Sequence, residues 1–275
     1  MHIGLGTILS SYSIDIADLA PRAEEMGFDS IWTGEQPVLP VETEIDIPRL
    51  WGDIPDPLIQ LARASAVTKT LLLGTAVCVI TERHPVTFAK EVASLDMYSG
   101  GRVLLGIGTG SHKEEAAVFG ADFPHRWTQA REAVGALKEL WTKEVSEWDG
   151  EYYSFPPLYC FPKPAQKPHP PLLFGSHVPR VFKRIVEYGD GWIPLGRSPE
   201  QIAEARAKLN ALAEAAGRDP ESITITATDV PADREVIAAY EKAGADRVVV
   251  GLDSADKETS FKDLEKIAKE AGVGS

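Results

Sequence analysis

The sequence predicts an α/β fold, a closed (β/α)8 barrel in one domain over residues 1–275. Three observations carry this. Apolar strand-like and helical segments alternate eight times along the chain. Val103-Leu104-Leu105 is apolar without alternation, as expected of a strand with helices over both faces of a parallel sheet. Helical connections enforce parallel pairing, and the length suits a barrel of roughly 250 residues. An open doubly wound sheet is the rival architecture.

The elements follow in order. His2 to Gly6 is the first strand, and Ile14 to Met26 a helix that Gly27 ends at its C′ position. Ser30 to Thr33 is the second strand, followed by a proline-rich connection from Pro37 to Pro55 and a helix from Leu58 to Val67. The third strand is Leu71 to Ile80. Pro85 suits a helix start, where its missing N–H goes unused, and Phe88, Val92 and Leu95 follow at helical spacing until Gly100 and Gly101. After the fourth strand, Glu114 to Phe119 and Trp127 to Trp141 are helical. Trp148 to His169, with five prolines, is an insertion between strands four and five that cannot be regular helix. Leu172 to Phe174, Gly191 to Ile193, Ile223 to Ala227 and Arg247 to Val250 are the last four strands. Helices Arg180 to Tyr188, Glu200 to Ala216, Ala232 to Ala243 and Phe261 to Ala271 go with them.

Composition bounds the function classes. The chain is 44% hydrophobic and 25% charged, ordinary for a soluble protein. Its net charge of -13 and pI near 5.0 argue against a nucleic-acid partner, which needs a basic face. No apolar run is long enough for a bilayer, and the N-terminus enters Ile3-Gly4-Leu5 without a basic region or cleavage pattern, so no membrane association and a cytoplasmic location are expected. Cys78 and Cys160 form neither a disulfide framework nor a zinc CxxC pattern and read as buried free thiols.

In a barrel of this kind the site lies at the C-terminal strand ends. Those ends carry Thr7, Glu35-Gln36, Ala76-Val77, Gly108 to His112, Gly175 to His177 and Pro194 to Gly196. Gly175-Ser176-His177, before the helix at Arg180, offers N–H groups, a hydroxyl and an imidazole where the helix dipole favours phosphate or carboxylate. The structural alternative is that Ser176 is an N-cap and Gly175 a turn former. His112 and His177 lack metal-site spacing, and no metal is expected. Gly106-Ile107-Gly108-Thr109-Gly110 lacks the third glycine of the dinucleotide fingerprint and lies on the fourth strand. Its glycines point to close approach of a ligand or of another strand. Glu35 and Gln36 either face the mouth, with Glu35 as acid or hydrogen-bond acceptor, or cap the next loop. Glu114-Glu115 reads as a solvated face that compensates the helix dipole, and His84 as a helix-entry or rim residue.

The ordered run of Arg83-His84-Pro85, Ser99-Gly100-Gly101-Arg102 and Gly106 to Gly110 resembles the luciferase-like monooxygenase family. The proline-rich stretch Pro162 to Pro171 resembles the family's approach to strand five, and Gly175-Ser176 with Gly189 to Pro194 resembles its phosphate loop and strand six. The resemblance points to the short members that use the deazaflavin coenzyme F420. It implies a flavin-like ring across the strand ends, backed by a non-prolyl cis peptide at Ala76-Val77, with Glu35 nearby. It places Gly108, Gly110, Ser111, Gly175, Ser176 and His177 near the ring and phosphate. Sugar dehydrogenases of this family carry a His where Gln36 stands and a Glu where Ser111 stands; this chain has neither. His112 is then the nearest candidate for proton delivery, and His112, Glu35 and Gln36 form the candidate catalytic set. The implied activity is hydride transfer between F420 and a small organic substrate held under the loops Pro37 to Pro55 and Trp148 to Pro171. An FMN-dependent monooxygenase and a non-catalytic F420- or flavin-binding protein are the alternatives. Barrels of this kind often dimerise, so a homodimer is among the expectations.

Overall fold

A ring of parallel strands closes on itself in the computed structural model, which describes residues 1–43 and 48–274. In chain order the strands are β1 (His2–Thr7), β2 (Ser30–Thr33), β3 (Leu72–Thr75), β4 (Cys78–Val79), β5 (Val103–Gly108), β6 (Ser146–Asp149), β7 (Ser154–Leu158), β8 (Leu172–Phe174), β9 (Gly191–Trp192), β10 (Thr224–Val230) and β11 (Arg247–Leu252). Neighbours run β3-β2-β1-β11-β10-β9-β8-β5, and β5 pairs back onto β3, so the sheet has no free edge there. Part of the long connection after β2, residues 44–47, lies outside the described residues.

The helices are α1 (Ile16–Met26), α2 (Pro57–Val67), α3 (Pro85–Ser99), α4 (Lys113–Val118), α5 (Arg126–Thr142), α6 (Val181–Tyr188), α7 (Pro199–Ala215), α8 (Arg234–Lys242) and α9 (Lys257–Ala271). Their ends obey local chemistry. Asp15, Asp56, Asp233 and Asp256 accept N–H bonds at the starts of α1, α2, α8 and α9, and Ser198 forms a capping box with Gln201 on α7. Gly27, Gly100 and Gly272 close α1, α3 and α9 with φ of 96°, 72° and 75°. The Asp256 cap explains why α9 starts before the expected Phe261. None of the helices among the described residues is long and apolar enough to cross a membrane.

One expectation needs correcting. The third strand is not continuous from Leu71 to Ile80: it breaks at Ala76-Val77, where the peptide bond is cis, and resumes as β4. Leu73 lies opposite Val103 while Cys78 lies opposite Ile107, so the third strand spends five steps where β5 spends four. The extra residue is a bulge. The proline-rich insertion contains no helix, and β6 and β7 form an antiparallel hairpin at its start. Its Trp148 ring occupies the space a side chain at Gly135 on α5 would need.

Burial falls into two layers. The large core lies between strands and helices, from Leu5 and Ile31 through Leu105 to Val248 and Val250. A smaller cluster of Trp32, Leu173, Ile193 and Val249 fills the barrel itself, packed by Ala76, Val77 and Leu104. Trp32 dominates that interior. Its indole N–H donates to Ser30 Oγ at 2.8 Å, and a Cβ added at Gly74 would stand 2.1 Å from its ring. One bulky side chain therefore needs a neighbour with none.

The glycines of β5 have the same logic. A Cβ at Gly106 would sit 1.9 Å from the Thr75 carbonyl oxygen, and one at Gly108 would sit 2.7 Å from Val77. At both positions the close approach is to the third strand and its bulge. We expect Gly106→Ala to cost ~1–3 kcal/mol through enforced backbone displacement. Gly251→Ala, whose new methyl meets nothing within 4 Å, should change stability by less than about 0.5 kcal/mol. Urea unfolding midpoints of the two variants check this.

Candidate functional site

Among the described residues, three of the concavities lie at or beside the C-terminal strand ends. The central one, about 430 Å³, stands over the barrel interior, with Trp32, Ala76 and Val249 at its apolar side and Thr7, Thr228 and Asp229 as polar lining. Thr7 Oγ1 is buried without a partner. Asp229 has a φ of 60°, at the point where the register of β10 against β11 slips by one. Aspartate tolerates this left-handed conformation better than most residues, and such outliers gather at functional sites. Sequence reasoning missed Asp229 because it ended the seventh strand at Ala227.

The second cavity, about 370 Å³, lies beside the end of β2 and is walled by Glu35, Gln36, Asp56, Glu82, Arg83 and Phe119, among others. Arg83 organises it. Its guanidinium donates to Glu35 Oε1 through Nε at 2.9 Å and also through Nη2, reaches Asp56 Oδ2 at 2.6 Å, and lies 3.5 Å from Glu91. The other Glu35 oxygen accepts the Val79 N–H at 2.5 Å, so Glu35 ties β2 to β4. Burial pushes the Glu35 carboxyl above its ordinary value, with Arg83 pulling against it.

Glu82 has no such partner. It is only 8% exposed, and neither carboxyl oxygen has a hydrogen bond. Burial, reinforced by Glu115 and Glu35 and opposed by Arg83, pushes it up to about 8. Glu82 therefore carries a proton at neutral pH.

Glu115 corrects the expectation of a solvated pair at the start of α4. It is 2% exposed, because the first turn of α4 packs onto the segment leaving β2. Its Oε1 accepts from Gln36 Nε2 at 2.6 Å, and its Oε2 lies 3.3 Å from His112 Nδ1. Two members of the predicted catalytic set thus meet through a carboxylate that sequence reasoning put in solvent. The third, Glu35, is committed to Arg83.

The third concavity, about 310 Å³, lies outside the start of α6 and includes His177, Trp192, Arg197, Gln201 and Lys208. Arg197 Nε donates to His177 Nδ1 at 3.0 Å. Burial, then Arg197, holds His177 below its ordinary value, so its ring is neutral at neutral pH. Ser176 does not cap α6: its Oγ accepts from the Val178 N–H at 3.2 Å, and Arg180 takes the cap position without a side-chain bond.

The predicted cofactor contacts therefore separate. Ala76 lines the central cavity, Glu35 the second and His177 the third. Val77, Gly108 and Gly175 come together, with the Val77 methyls over both glycines. Gly110, with φ of 72°, passes over Glu82, whose Oε1 lies 3.1 Å from where a Cβ would stand. Ser111 is exposed beside the His112 ring. His84 receives the Val86 N–H at 3.3 Å at the start of α3, the helix-entry role expected of it.

A folded chain that keeps the Glu82 proton while the unfolded chain loses it is progressively destabilised as pH rises from about 4.5 to about 8. Glu82→Gln removes this dependence and sacrifices no hydrogen bond. Its melting temperature should exceed that of the parent by a margin that is larger at pH 8 than at pH 5, as thermal melts across that range will register.

Comparisons with known proteins agree with this architecture. A model of the luciferase-like monooxygenase family matches residues 10–266. An uncharacterized protein of Mycobacterium tuberculosis is 34% identical over 281 residues, which is 98% of this chain and 98% of that one. The F420-dependent glucose-6-phosphate dehydrogenase of Kineococcus radiotolerans is 36% identical over 184 residues, 65% of this chain and 51% of that protein, so that match spans about half the relative's length. An F420-dependent secondary alcohol dehydrogenase, solved in complex with an F420-acetone adduct, shares the fold with a TM-score of 0.77 at 20% identity over 98% of each chain. With a family match over nearly the whole chain and a full-length relative, this protein belongs to the luciferase-like monooxygenase family.

Proposed function

We propose that the chain is an F420-dependent oxidoreductase that moves a hydride between the deazaflavin and a small organic substrate. The observation that carries this is the segment leaving β9. Leu195 on that segment lines the central cavity and Arg197 lines the third, so one stretch of chain borders both a ring-sized cavity with an apolar side and a pocket lined by Arg197 and Lys208 together with Glu204. A cofactor with a planar ring and a phosphate-bearing tail matches that pair. Relatives named for F420 support the choice.

The residues present fit the group. Trp32, Ala76 and Val249 offer an apolar face for a ring, and the exposed Asp229 offers a polar group at its edge. Arg197, Lys208 and the first N–H groups of α6 suit a phosphate. Val77, Gly108 and Gly110 would shape the wall behind the ring, with Ser111 at its edge, and Gly175, Ser176 and His177 would border the tail. When bound, the deazaflavin supplies the two-electron hydride chemistry. The protein orients the reactants, excludes water and handles the proton. Gln36 cannot exchange a proton at neutral pH, and Glu35 is locked to Arg83, so within the predicted set that task falls to His112, held by Glu115.

Fluorescence titration of the cofactor-free protein should give saturable binding of F420, weakened about tenfold or more in Arg197→Ala. Saturable binding of FMN alone would favour the oxygen-using alternative and contradict the proposal. In the loaded protein, His112→Ala should slow turnover about 100-fold or more with cofactor affinity retained. Unchanged turnover would remove His112 from the mechanism.

A further inference from the structure

The lining of the central cavity carries a choice of substrate that the cofactor reading leaves open. It includes Asp229 near the end of β10 and Asp253 just after β11, and no lysine, arginine or histidine among the described residues. The arginines closest along the chain are placed elsewhere. Arg197, two residues beyond Leu195, gives its Nε to His177 in the third concavity, and Arg49, two residues before Trp51, is exposed and does not line the cavity.

The other polar side chains of the lining are occupied or covered. Thr228 Oγ1 donates to the Pro194 carbonyl at 2.9 Å, Ser254 Oγ lies 3.2 Å from Ser10 Oγ, and Thr7 Oγ1 is buried. Asp229 and Asp253 are exposed, and no hydrogen bond or ion pair among the described residues engages either side chain. They are the polar groups left to meet an incoming molecule.

Two apolar side chains carried by loops complete the lining. Leu195, 62% exposed, stands on the segment leaving β9, and Trp51 comes from the 3-10 turn Arg49–Asp53 in the long connection after β2. That turn is tied down at its end, because Asp53 Oδ2 accepts from the N–H and the hydroxyl of Ser11 at 3.0 and 2.7 Å. An anionic group brought into this cavity meets two carboxylates with no cation in the wall to offset the repulsion. A hydroxyl donates to them instead, while an apolar body covers Trp51 and Leu195.

We propose that the central cavity takes an uncharged, hydroxyl-bearing substrate with an apolar body and turns away carboxylates and phosphate esters. Asp229 and Asp253 set that choice, and Trp51 and Leu195 hold the apolar body. The proposal rests on the F420 reading, since a molecule held here is a substrate only if the cofactor ring shares the cavity. The charge selection itself belongs to the lining and holds with or without the cofactor.

The test is calorimetry at pH 7, with and without saturating F420, using three probes of one skeleton: cyclohexylmethanol, its methyl ether and cyclohexanecarboxylate. The alcohol should bind at least about tenfold more tightly than the carboxylate and about fivefold or more above the ether, which has no O–H to donate. In the double variant Asp229→Asn, Asp253→Asn the ratio of alcohol to carboxylate affinity should fall about tenfold or more, with asparagine keeping the size of each side chain and tolerating the φ of 60° at position 229. Trp51→Ala should weaken the alcohol and the ether alike by about threefold or more and leave the ratio of alcohol to carboxylate in place. A carboxylate that binds as well as the alcohol, no binding of the alcohol, equal binding of alcohol and ether, or a ratio unmoved in the double variant would each overturn the proposal. Failure of F420 to bind strikes the cofactor reading instead, and the probe ratios in the cofactor-free protein still decide the selectivity of the lining.

Discussion

One guanidinium has to serve several carboxylates, and the arrangement of the site follows from how it is shared. Arg83 pairs with Glu35 at the end of β2, with Asp56 at the head of α2 and with Glu91 on its own helix α3. It thereby clamps the second and third strand ends and one helix start to each other. Removing one partner from such a buried group is far more damaging than the net value of the pair, because the remaining charge has no water to turn to. Two carboxylates are left over. Glu115 is satisfied by Gln36 and His112, and Glu82 is satisfied by nothing, which is why it holds a proton.

Steric constraint in the barrel wall complements this electrostatic one. The bulge at Ala76-Val77 pushes one residue out of the third strand, and the wall absorbs it through residues without side chains: Gly106 against Thr75, Gly108 and Gly175 against Val77. Trp32 then fills the barrel beneath, made possible by Gly4 and Gly74. The central cavity is what remains above Trp32. Its location at the strand ends therefore depends on glycines that let the barrel wall close over the bulge.

Much of this was legible in the sequence. Unalternated apolar strands, Pro-led helix starts and glycine stops pointed to the barrel, and the ordered motifs from Arg83 to Gly110 pointed to the family. The glycine run announced a close approach but not its partner, because that partner is the backbone of a strand about thirty residues earlier, paired only in the closed barrel. Glu115 was misread for a physical reason. A charge in the first turn of a helix is normally solvated, and only the packing of α4 on the segment after β2 buries this one. Glu82 lay inside the most recognisable motif, next to Arg83, and its lack of a counter-ion depends on Arg83 being drawn to Glu35, which no local pattern reveals. Ser176 looked like a cap and instead closes a turn three residues before the helix begins to form.

The claim that a single shared guanidinium sets the geometry is tested most directly by a double-mutant cycle on Arg83 and Glu35. Arg83→Met alone should cost about 3–5 kcal/mol of unfolding free energy, and adding Glu35→Gln should restore a large part of the loss, since the stranded carboxylate is then gone. A cost below about 1 kcal/mol for Arg83→Met, with no coupling to Glu35, is the behaviour of a solvated surface pair and would contradict the account.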